Sequence, residues 1–229
     1  YVAVQTYNGY TGEKMTVVLA KALLNMHFNP KAAELALEDY KPGDKLVPFK
    51  VVGEYKGSDL VGMEYEQLLP WVKPVSVDEN GQWKDASAQA FRVIPGDYVT
   101  TEDGTGIVHI APAFGQDDYE VGLKYDLPVL NPVDENGCFT EGPWQGRLVV
   151  DSELELDIIK YLATEDKIFK KQKMVHNYPH CWRCKTPLVY YSKPSLYIKV
   201  TDFKDKIIEA NKTVNWYPDY IGEKRFGNW

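Results

Sequence analysis

The sequence has no apolar run approaching the ~20 residues that a membrane-spanning helix needs, and it does not open with a secretion signal. It has three cysteines, too few for a disulfide framework, which favours a reducing compartment such as the cytoplasm. Positive charge is also scarce: 26 Lys and Arg stand against 33 Asp and Glu, a net charge of −7. The whole chain therefore does not attract nucleic acid, and any RNA contact has to be local or supplied by another part of a longer protein.

What is present is the composition of an ordinary globular protein, with 44% hydrophobic and 26% charged residues. A chain of 229 residues can bury a substantial core as one large domain, or as one domain with an appendage. It opens on YVAVQTY, which is typical of the interior of a strand, and stops abruptly at GEKRFGNW. We therefore expect a piece of a longer polypeptide.

Short strands alternate with helices along the chain. Strands are predicted where β-branched and aromatic residues cluster between turn residues, at 1–6, 14–20, 45–55 and in several pieces of 91–112. The polar stretch 76–87 is predicted to form a long exposed hairpin or an insertion, and 128–141 to form another hairpin. Helical spacing is found at 21–40 with a break at Pro30, at 58–69 with Ser58 or Asp59 as cap, at 116–127, at 151–166 and at 202–212. The pattern predicts an α+β fold with a curled or β-barrel-like sheet, peripheral helices and a small ribbon-like C-terminal segment.

The helix at 151–166 has the clearest amphipathic pattern. Its predicted apolar stripe consists of Leu154, Leu156, Ile158, Ile159 and Leu162. From about Lys171 the character of the chain changes, with a CxxC knuckle between short strands. We place a domain boundary there, giving a first domain over 1–172 and a second over 173–229.

The run GTGIVHIAPAFGQDDYEVG, residues 104–122, is the most distinctive in the chain. Its two leading glycines do not form a nucleotide loop, because a strand-like segment follows them and no lysine does. Alternation predicts a strand over 107–111 with His109 facing the same side as Ala111. The acidic pair Asp117 and Asp118 falls in the first turn of the following helix, where carboxylates are favoured.

Two interpretations of this corner remain open from the residues alone. In one, the helix is simply well capped and the histidine is a satisfied core residue. In the other, strand, bend and helix bring His109 and a carboxylate to the mouth of one pocket.

The same run closely resembles the editing domain of isoleucyl-tRNA synthetases, a large insertion in a class I catalytic core. The form HIAPAFG followed by an acidic pair differs from the related valyl and leucyl insertions. Further matches are LVGMEYEQLLPW, GDYVTTEDGTG and HNYPHCWRCKTPL, and RFGNW resembles the passage back to the catalytic core. The resemblance covers essentially the whole chain.

The resemblance implies hydrolysis of valyl-tRNA(Ile) made in error by an enzyme that ligates isoleucine to tRNA. It assigns Asp118 to the α-ammonium group of the mischarged amino acid, and His109 to the substrate ester or terminal ribose. Ala113, Phe114 and Gly115 shape the corner, with packing the more expected role for Phe114. Asp117 is expected to be a helix-start residue. No nucleophilic triad is visible, so we expect a positioned water, assisted by a ribose hydroxyl of the tRNA.

The resemblance also has gaps. The family's threonine-rich run, of the form WTTTPWTLP, is missing from this sequence, as are the HIGH-like and KMSKS-like motifs of the ATP- and Mg-dependent synthetic site. We therefore expect the segment alone to hydrolyse valyl-tRNA weakly or not at all. The implied partners are the acceptor end of tRNA(Ile) carrying valine and the remainder of the synthetase polypeptide. No membrane partner is expected, and the protein is expected to be a monomer.

Cys181 and Cys184 have the knuckle spacing of a zinc ribbon, but structural zinc takes four ligands. Three interpretations remain: half of a site whose second CxxC lies elsewhere in the family's chain, a zinc completed by His176 or His180, or a chance pair. Cys138 follows a predicted turn and is expected to be structural.

Three other functions compete with editing by an isoleucyl enzyme. The segment could be a non-catalytic insertion that positions the tRNA acceptor end, or the editing domain of a valyl-tRNA synthetase. A free-standing deacylase is the third, and the abrupt ends of the sequence argue against it.

Overall fold

The structure, a computed structural model, describes residues 1–173, 175, 177–193 and 195–228. The chain divides into two compact units, Tyr1–Tyr191 and Ser192–Trp229. The functional boundary near residue 172 stays a prediction. No helix in the described ranges is both long and apolar enough to cross a bilayer.

The first unit is built on a three-stranded antiparallel sheet. Its strands are β1 (Val2–Tyr7), β2 (Lys14–Leu19) and β3 (Lys50–Glu54), in the order β2-β1-β3. Strands predicted at 1–6 and 14–20 are confirmed, and the strand predicted at 45–55 is shorter than expected. Because β1 is central, its side chains are buried on both faces rather than alternating.

The main core lies against this sheet. Apolar side chains from the strands pack with those of the short helical turns that follow β2, and Phe28 stacks on Phe49 with ring centroids 4.8 Å apart. The buried members are Val2, Val4, Leu19, Ala20, Leu23, Phe28, Ala32 and Phe49.

A buried amide joins the β1–β2 turn to a distant part of the chain. Asn8 is fully buried, and its Nδ2 donates to Asp166 Oδ1 at 2.6 Å and to the carbonyl oxygen of Ile168 at 3.0 Å. Thr11 Oγ1 donates to the same Asp166 oxygen at 2.7 Å. The hairpin tip is thus fixed to residues just beyond the longest helix.

A second, two-stranded sheet confirms the hairpin predicted at 76–87. It pairs β4 (Val75–Val77) with β5 (Trp83–Asp85), and Asp78 Oδ1 accepts from the backbone of Asn80 and Gln82 to hold the turn. The hairpin predicted at 128–141 forms as a turn with isolated bridges, among them Val133 to Phe139.

Five α-helices are assigned in the described chain. They are α1 (Leu24–His27), α2 (Gly57–Leu60), α3 (Gln116–Tyr125), α4 (Ser152–Thr164) and α5 (Lys204–Lys212). The helices predicted at 116–127, 151–166 and 202–212 are confirmed within a few residues. Short 3-10 turns are found at Lys21–Leu23, Pro30–Glu34, Leu37–Asp39, Ser87–Gln89 and Val200–Asp202.

Two predicted helices were wrong in length. Residues 21–40 form only α1 and short 3-10 turns, and Asn29 caps the turn that begins at Pro30. The helix predicted at 58–69 ends after Leu60, because Gly62 adopts a φ of +87° that no right-handed helix contains.

The strands predicted within 91–112 were also wrong. Apart from a single bridge between Glu64 and Arg92, the described residues of this range form no ladder. The α+β class is confirmed, but the two described sheets are small and open, and neither closes into a barrel.

The second unit contains α5 and a π-helical turn, Ile221–Phe226. Trp216 links the two, since its Nε1 donates to Asn211 Oδ1 at 2.9 Å and its ring packs against Phe226. A cavity of about 570 Å³ opens beside Trp216 within this unit.

Helix α4 packs beside an aromatic cluster in the first unit. Trp144 contacts Trp71 and Tyr161 edge-on, with ring centroids 5.1 and 5.6 Å away. Of the predicted stripe, Leu154 is buried and Ile158, Ile159 and Leu162 are half-buried, whereas Leu156 is exposed and does not belong to it. Position 156 lies only two residues from Leu154, a spacing that points to a different helix face.

Arg147 ties the loop before α4 to the helix. Its guanidinium donates to Asp157 at 2.6 Å and to Asp151 at 3.0 Å, and Asp151 is also the N-cap of α4. The hydrogen bond from Arg147 is the main reason that the pKa of each carboxyl lies below its ordinary value.

We predict that in Arg147→Met the free energy of unfolding falls less steeply as the pH is lowered than it does in the wild type. The pKa values of Asp151 and Asp157 are lowered in the folded state, so their contribution is complete above the ordinary carboxyl pKa and is lost as pH falls through the lowered values. Urea denaturation at a series of pH values from 7 to 3, followed by the tryptophan fluorescence of the protein, measures this pH dependence. Lys45→Met is the control, because Lys45 takes part in no recorded ion pair. Parallel acid profiles for Arg147→Met and the wild type would contradict the assignment.

Candidate functional site

The site is a corner in which a carboxylate closes the chain onto itself. Helix α3 begins at Gln116, and Asp118 in its first turn accepts a hydrogen bond through Oδ2 from the backbone N–H of Ala111 at 3.1 Å. The N–H of Phe114 donates to the carbonyl oxygen of Ala111 at 2.9 Å. These two bonds fold 111–118 into a bend whose inner side carries the Asp118 carboxylate.

Gly115 lets the carboxylate approach the backbone closely. A Cβ at this position would lie 3.1 Å from Asp118 Oδ2 and 3.3 Å from its Cγ, so a larger residue would press on the carboxylate. Beside it, Ala113 is buried and Phe114 is half-buried. All three predicted corner residues therefore lie in the bend, with Ala113 and Phe114 packed as its wall.

Asp118 keeps one oxygen available. The side chain is half-buried, and Oδ1 accepts no hydrogen bond recorded among the described residues. A partly dehydrated carboxylate with a free oxygen can form a charge-assisted hydrogen bond to a cationic group.

Tyr98 is a neighbour of this carboxylate that the sequence did not single out. Burial raises the pKa of the Tyr98 hydroxyl above its ordinary value, and the negative charge of Asp118 adds to the rise. The phenol therefore lies within electrostatic reach of the site. Its position in GDYVTTEDGTG was visible in the sequence, but nothing there indicated which helix it would face.

His109 is exposed, and the segment around it is not a strand. The predicted alternation over 107–111 was wrong, as was the interpretation of His109 as a core residue, because this segment pairs with no strand in the described chain. Ile107 and Val108 are correspondingly about half exposed. The structure places His109 two residues before the Ala111 N–H that Asp118 binds.

Asp117 lies in the first turn of α3, as predicted for a helix-start residue, and its side chain is exposed. The N-cap position is Gly115, and no side chain caps the helix. Asp117 can therefore contribute through the helix dipole but not through a capping hydrogen bond.

Cys181 and Cys184 lie in a tight turn. The backbone N–H of Cys181 donates to the Thr186 carbonyl, and that of Lys185 donates to the Cys181 carbonyl, both at 2.9 Å. Hydrogen bonding from Thr186, whose Oγ1 lies 3.0 Å from the Cys184 sulfur, lowers the pKa of Cys184 to about 7. The Cys184 thiol can thus supply the thiolate form that metals bind.

The described residues hold no group of three or more potential metal ligands. His180 lies next to the pair, with Nδ1 2.8 Å from the Tyr178 carbonyl oxygen. His176, the other predicted candidate, lies outside the described residues. Cys138 is half-buried in a turn, where Asp134 Oδ1 accepts from its backbone N–H.

Comparison with known proteins decides the family. The chain is 49% identical to the isoleucine–tRNA ligase of Bacteroides thetaiotaomicron and 44% identical to that of Cytophaga hutchinsonii, in both cases over its whole length. It is 46% identical to the Treponema denticola ligase over 79% of its length. The chain belongs to the isoleucine–tRNA ligase family. No protein-family model matches it.

The chain spans only part of these ligases: 24% of the Bacteroides thetaiotaomicron protein, 22% of the Cytophaga hutchinsonii protein and 16% of the Treponema denticola protein. The identities over the whole chain confirm, at the level of the isoleucine–tRNA ligases, the family resemblance inferred from HIAPAFG and the acidic pair. The roles of individual residues stay predictions.

We predict that Cys184 in metal-free protein reacts with iodoacetamide with a midpoint near pH 7, because the lowered pKa makes it half thiolate there. Thr186→Val removes the hydroxyl contact, raises the midpoint, and slows alkylation at pH 7 on the order of tenfold. Peptide mass spectrometry after timed alkylation separates Cys184 from Cys138, the internal control. An unchanged pH profile in Thr186→Val would contradict the role of the hydroxyl.

Proposed function

We propose that this segment is the editing region of an isoleucine–tRNA ligase, in which it hydrolyses valyl-tRNA(Ile). The observation that carries the proposal is Asp118, held by the Ala111 N–H through one oxygen and open through the other. The free oxygen binds the α-ammonium group of the misplaced amino acid. The membership of the chain in this ligase family supports the same role.

The reaction needs little covalent chemistry from the protein. A water oxygen attacks the ester carbonyl, the bond from that carbon to the ribose oxygen breaks, and the ribose oxygen takes up a proton. The products are valine and tRNA(Ile) with a free terminal hydroxyl. Asp118 orients the substrate, exposed His109 contacts the ester or the terminal ribose, and a ribose hydroxyl of the tRNA helps to position the water.

Such a reaction has a physical purpose. One methylene distinguishes isoleucine from valine, and a hydrophobic pocket discriminates such a pair only about 10–200-fold, a limit for which this synthetase is itself the standard example. A second pocket that admits valine but excludes isoleucine removes the error. In this proposal Ala113 and Phe114, which are buried and half-buried in the bend, set that size limit.

The larger protein, in this proposal, ligates isoleucine to tRNA at a separate site that uses ATP and Mg²⁺. Its partners are the acceptor end of tRNA(Ile) and the remainder of the ligase polypeptide, to which this segment belongs. We propose a cytoplasmic monomer. The net charge of −7 implies that other parts of the ligase supply most of the attraction for tRNA.

We also propose that Cys181 and Cys184 form half of a structural zinc site. The described donors fit such a role in part: two thiols in one turn, with His180 beside them, fall short of the four ligands that structural zinc takes. We predict well under one zinc per chain in the 229-residue segment purified without chelator, and Cys184→Ser should remove what is bound. One tightly held zinc per segment, measured by elemental analysis, would favour completion by a histidine instead.

The test of the editing proposal is Asp118 in the full-length ligase. Asp118→Asn keeps an oxygen for the Ala111 N–H but removes the charge that would bind the ammonium group. Truncating one partner of a desolvated charge pair costs roughly 2–5 kcal/mol. Because Asp118 is only half-buried, we expect the lower part of that range, at least about 30-fold slower deacylation of valyl-tRNA(Ile). Isoleucine activation should be unchanged.

Asp117→Ala is the matched control, since it removes a neighbouring exposed carboxylate of the same helix turn. It should cost only about 0.3–1 kcal/mol of helix stability through the dipole, and little hydrolysis. If Asp117 proves essential and Asp118 dispensable, the assignment of the ammonium ligand is wrong. If neither variant affects deacylation, the corner takes no part in editing and is only a well-formed helix start.

A further inference from the structure

Three consecutive carbonyl oxygens of the loop Gly104–Gly106 each accept a hydrogen bond from a different N-terminal element. Tyr1 Oη donates to the oxygen of Gly106 at 2.7 Å, and the N–H of Ala20 donates to that of Thr105 at 2.8 Å. His27 Nε2 lies 2.6 Å from the oxygen of Gly104. Since a carbonyl only accepts, His27 donates here through Nε2–H. We call these three contacts the loop clamp.

The loop is shaped to fit the clamp. Gly104 and Gly106 have φ angles of +62° and +75°, a conformation that residues with a Cβ adopt with strain. A Cβ on Gly106 would lie 2.6 Å from the Ala20 Cβ and 3.5 Å from the Tyr1 ring. The loop therefore lies directly against the core hairpin, in a position that no other residue at 106 permits.

The segment after the loop has no comparable support. Ile107 bonds only to the nearby Thr105 hydroxyl, and no hydrogen bond of Val108, His109 or Ile110 is recorded among the described residues. The next attachment is the Ala111 N–H, bound to Asp118. His109 thus lies on a short, exposed segment held by the loop clamp at one end and by Asp118 at the other.

We propose that Tyr1 and His27 are positioning residues for ester hydrolysis: through the loop clamp they fix where His109 stands relative to Asp118. This inference rests on the proposed function. Neither residue touches the substrate. The Tyr1 ring lies between Gly57 and Gly106, and His27 is the last residue of α1. Both residues therefore connect the segment 107–110, through the loop, to the buried part of the first unit.

The chemistry of His27 makes a sharp prediction. The contact to Gly104 uses only the Nε2–H, which both the neutral Nε2–H tautomer and the imidazolium ion carry, so the role assigned to His27 needs no proton transfer. Loss of His27 should therefore lower the deacylation rate at every pH without moving the pH profile. An acid–base role for His27 would instead shift the profile.

The experiment uses the full-length ligase and three single variants. Tyr1→Phe removes only the hydroxyl and keeps the ring. His27→Asn places its amide nitrogen where Nδ1 stands and cannot reach Gly104, whereas His27→Gln places it near Nε2 and can. We expect kcat for valyl-tRNA(Ile) deacylation to fall on the order of 10- to 100-fold in Tyr1→Phe and His27→Asn, with KM nearly unchanged. His27→Gln should recover most of the loss.

A second readout does not depend on activity. Hydrogen–deuterium exchange should rise at the hydrogen-bonded amides of Ala20 and Ala111, at the two ends of the loop and segment, in Tyr1→Phe and His27→Asn, and should stay unchanged in β2. Tyr10→Phe is the control for removing a tyrosine hydroxyl, since Tyr10 lies on the exposed hairpin turn outside the loop clamp.

Outcomes separate the two proposals. If Asp118→Asn abolishes deacylation but Tyr1→Phe and His27→Asn leave kcat intact, the loop clamp has no positioning role and the editing function stands. If Asp118→Asn leaves deacylation intact, Asp118 is not the ammonium ligand and the proposed function fails at this corner, whatever the loop-clamp variants do. Equal losses in His27→Gln and His27→Asn, or a moved pH profile, would also overturn the inference.

Discussion

The burial of β1 between β2 and β3 is the constraint on which the rest of the first unit depends. Its side chains face apolar neighbours on both sides, and Tyr1, just before β1, exchanges backbone hydrogen bonds with Tyr55, just after β3. Because the backbone of Tyr1 is fixed in this way, its hydroxyl lies where it donates a hydrogen bond to the Gly106 carbonyl oxygen. The position of the candidate site is thus set by a strand that contributes no residue to it.

Much of the secondary structure could be predicted from the sequence where local signals are complete. Helix α4 has an N-cap, Asp151, whose side chain accepts from the backbone N–H of Glu153, and an apolar stripe that includes the buried Leu154. The β1–β2 hairpin has two β-branched runs and a turn at Asn8. In each case the residues within the element are enough to predict it, even where distant residues also contact it.

Predictions failed where the outcome depends on a partner or on a single backbone angle. Residues 107–111 have strand-like composition, but β propensity expresses pairing and burial rather than an intrinsic preference, and this segment pairs with nothing described. Gly62 ended a helix whose apolar spacing continued beyond it. The packing order of β2-β1-β3, which buries both faces of β1, was likewise invisible to an alternation argument.

The candidate site also has residues that could be predicted from the sequence and residues that could not. Asp118, Gly115 and the bend between them were predictable, because a helix start after Ala-Phe-Gly fixes their relation locally. The resemblance that named the family depended on this same local run. Tyr98 and His27 were not predictable, because each reaches the site region through the tertiary fold: Tyr98 lies within electrostatic reach of Asp118, and His27 binds Gly104 from 77 residues away.

The buried amide of Asn8 has a consequence for the order in which the chain folds while it is being synthesised. Its partners, Asp166 and the Ile168 carbonyl, are made 158 and 160 residues later. Because the ribosome adds about 5–20 residues per second, on the order of 10–30 s pass between the synthesis of Asn8 and the synthesis of its hydrogen-bond partners. During that interval the N-terminal strands exist without these two hydrogen bonds, and the Asn8 amide has to be satisfied by water. The last step of assembling this unit is therefore set by the arrival of the residues that follow α4.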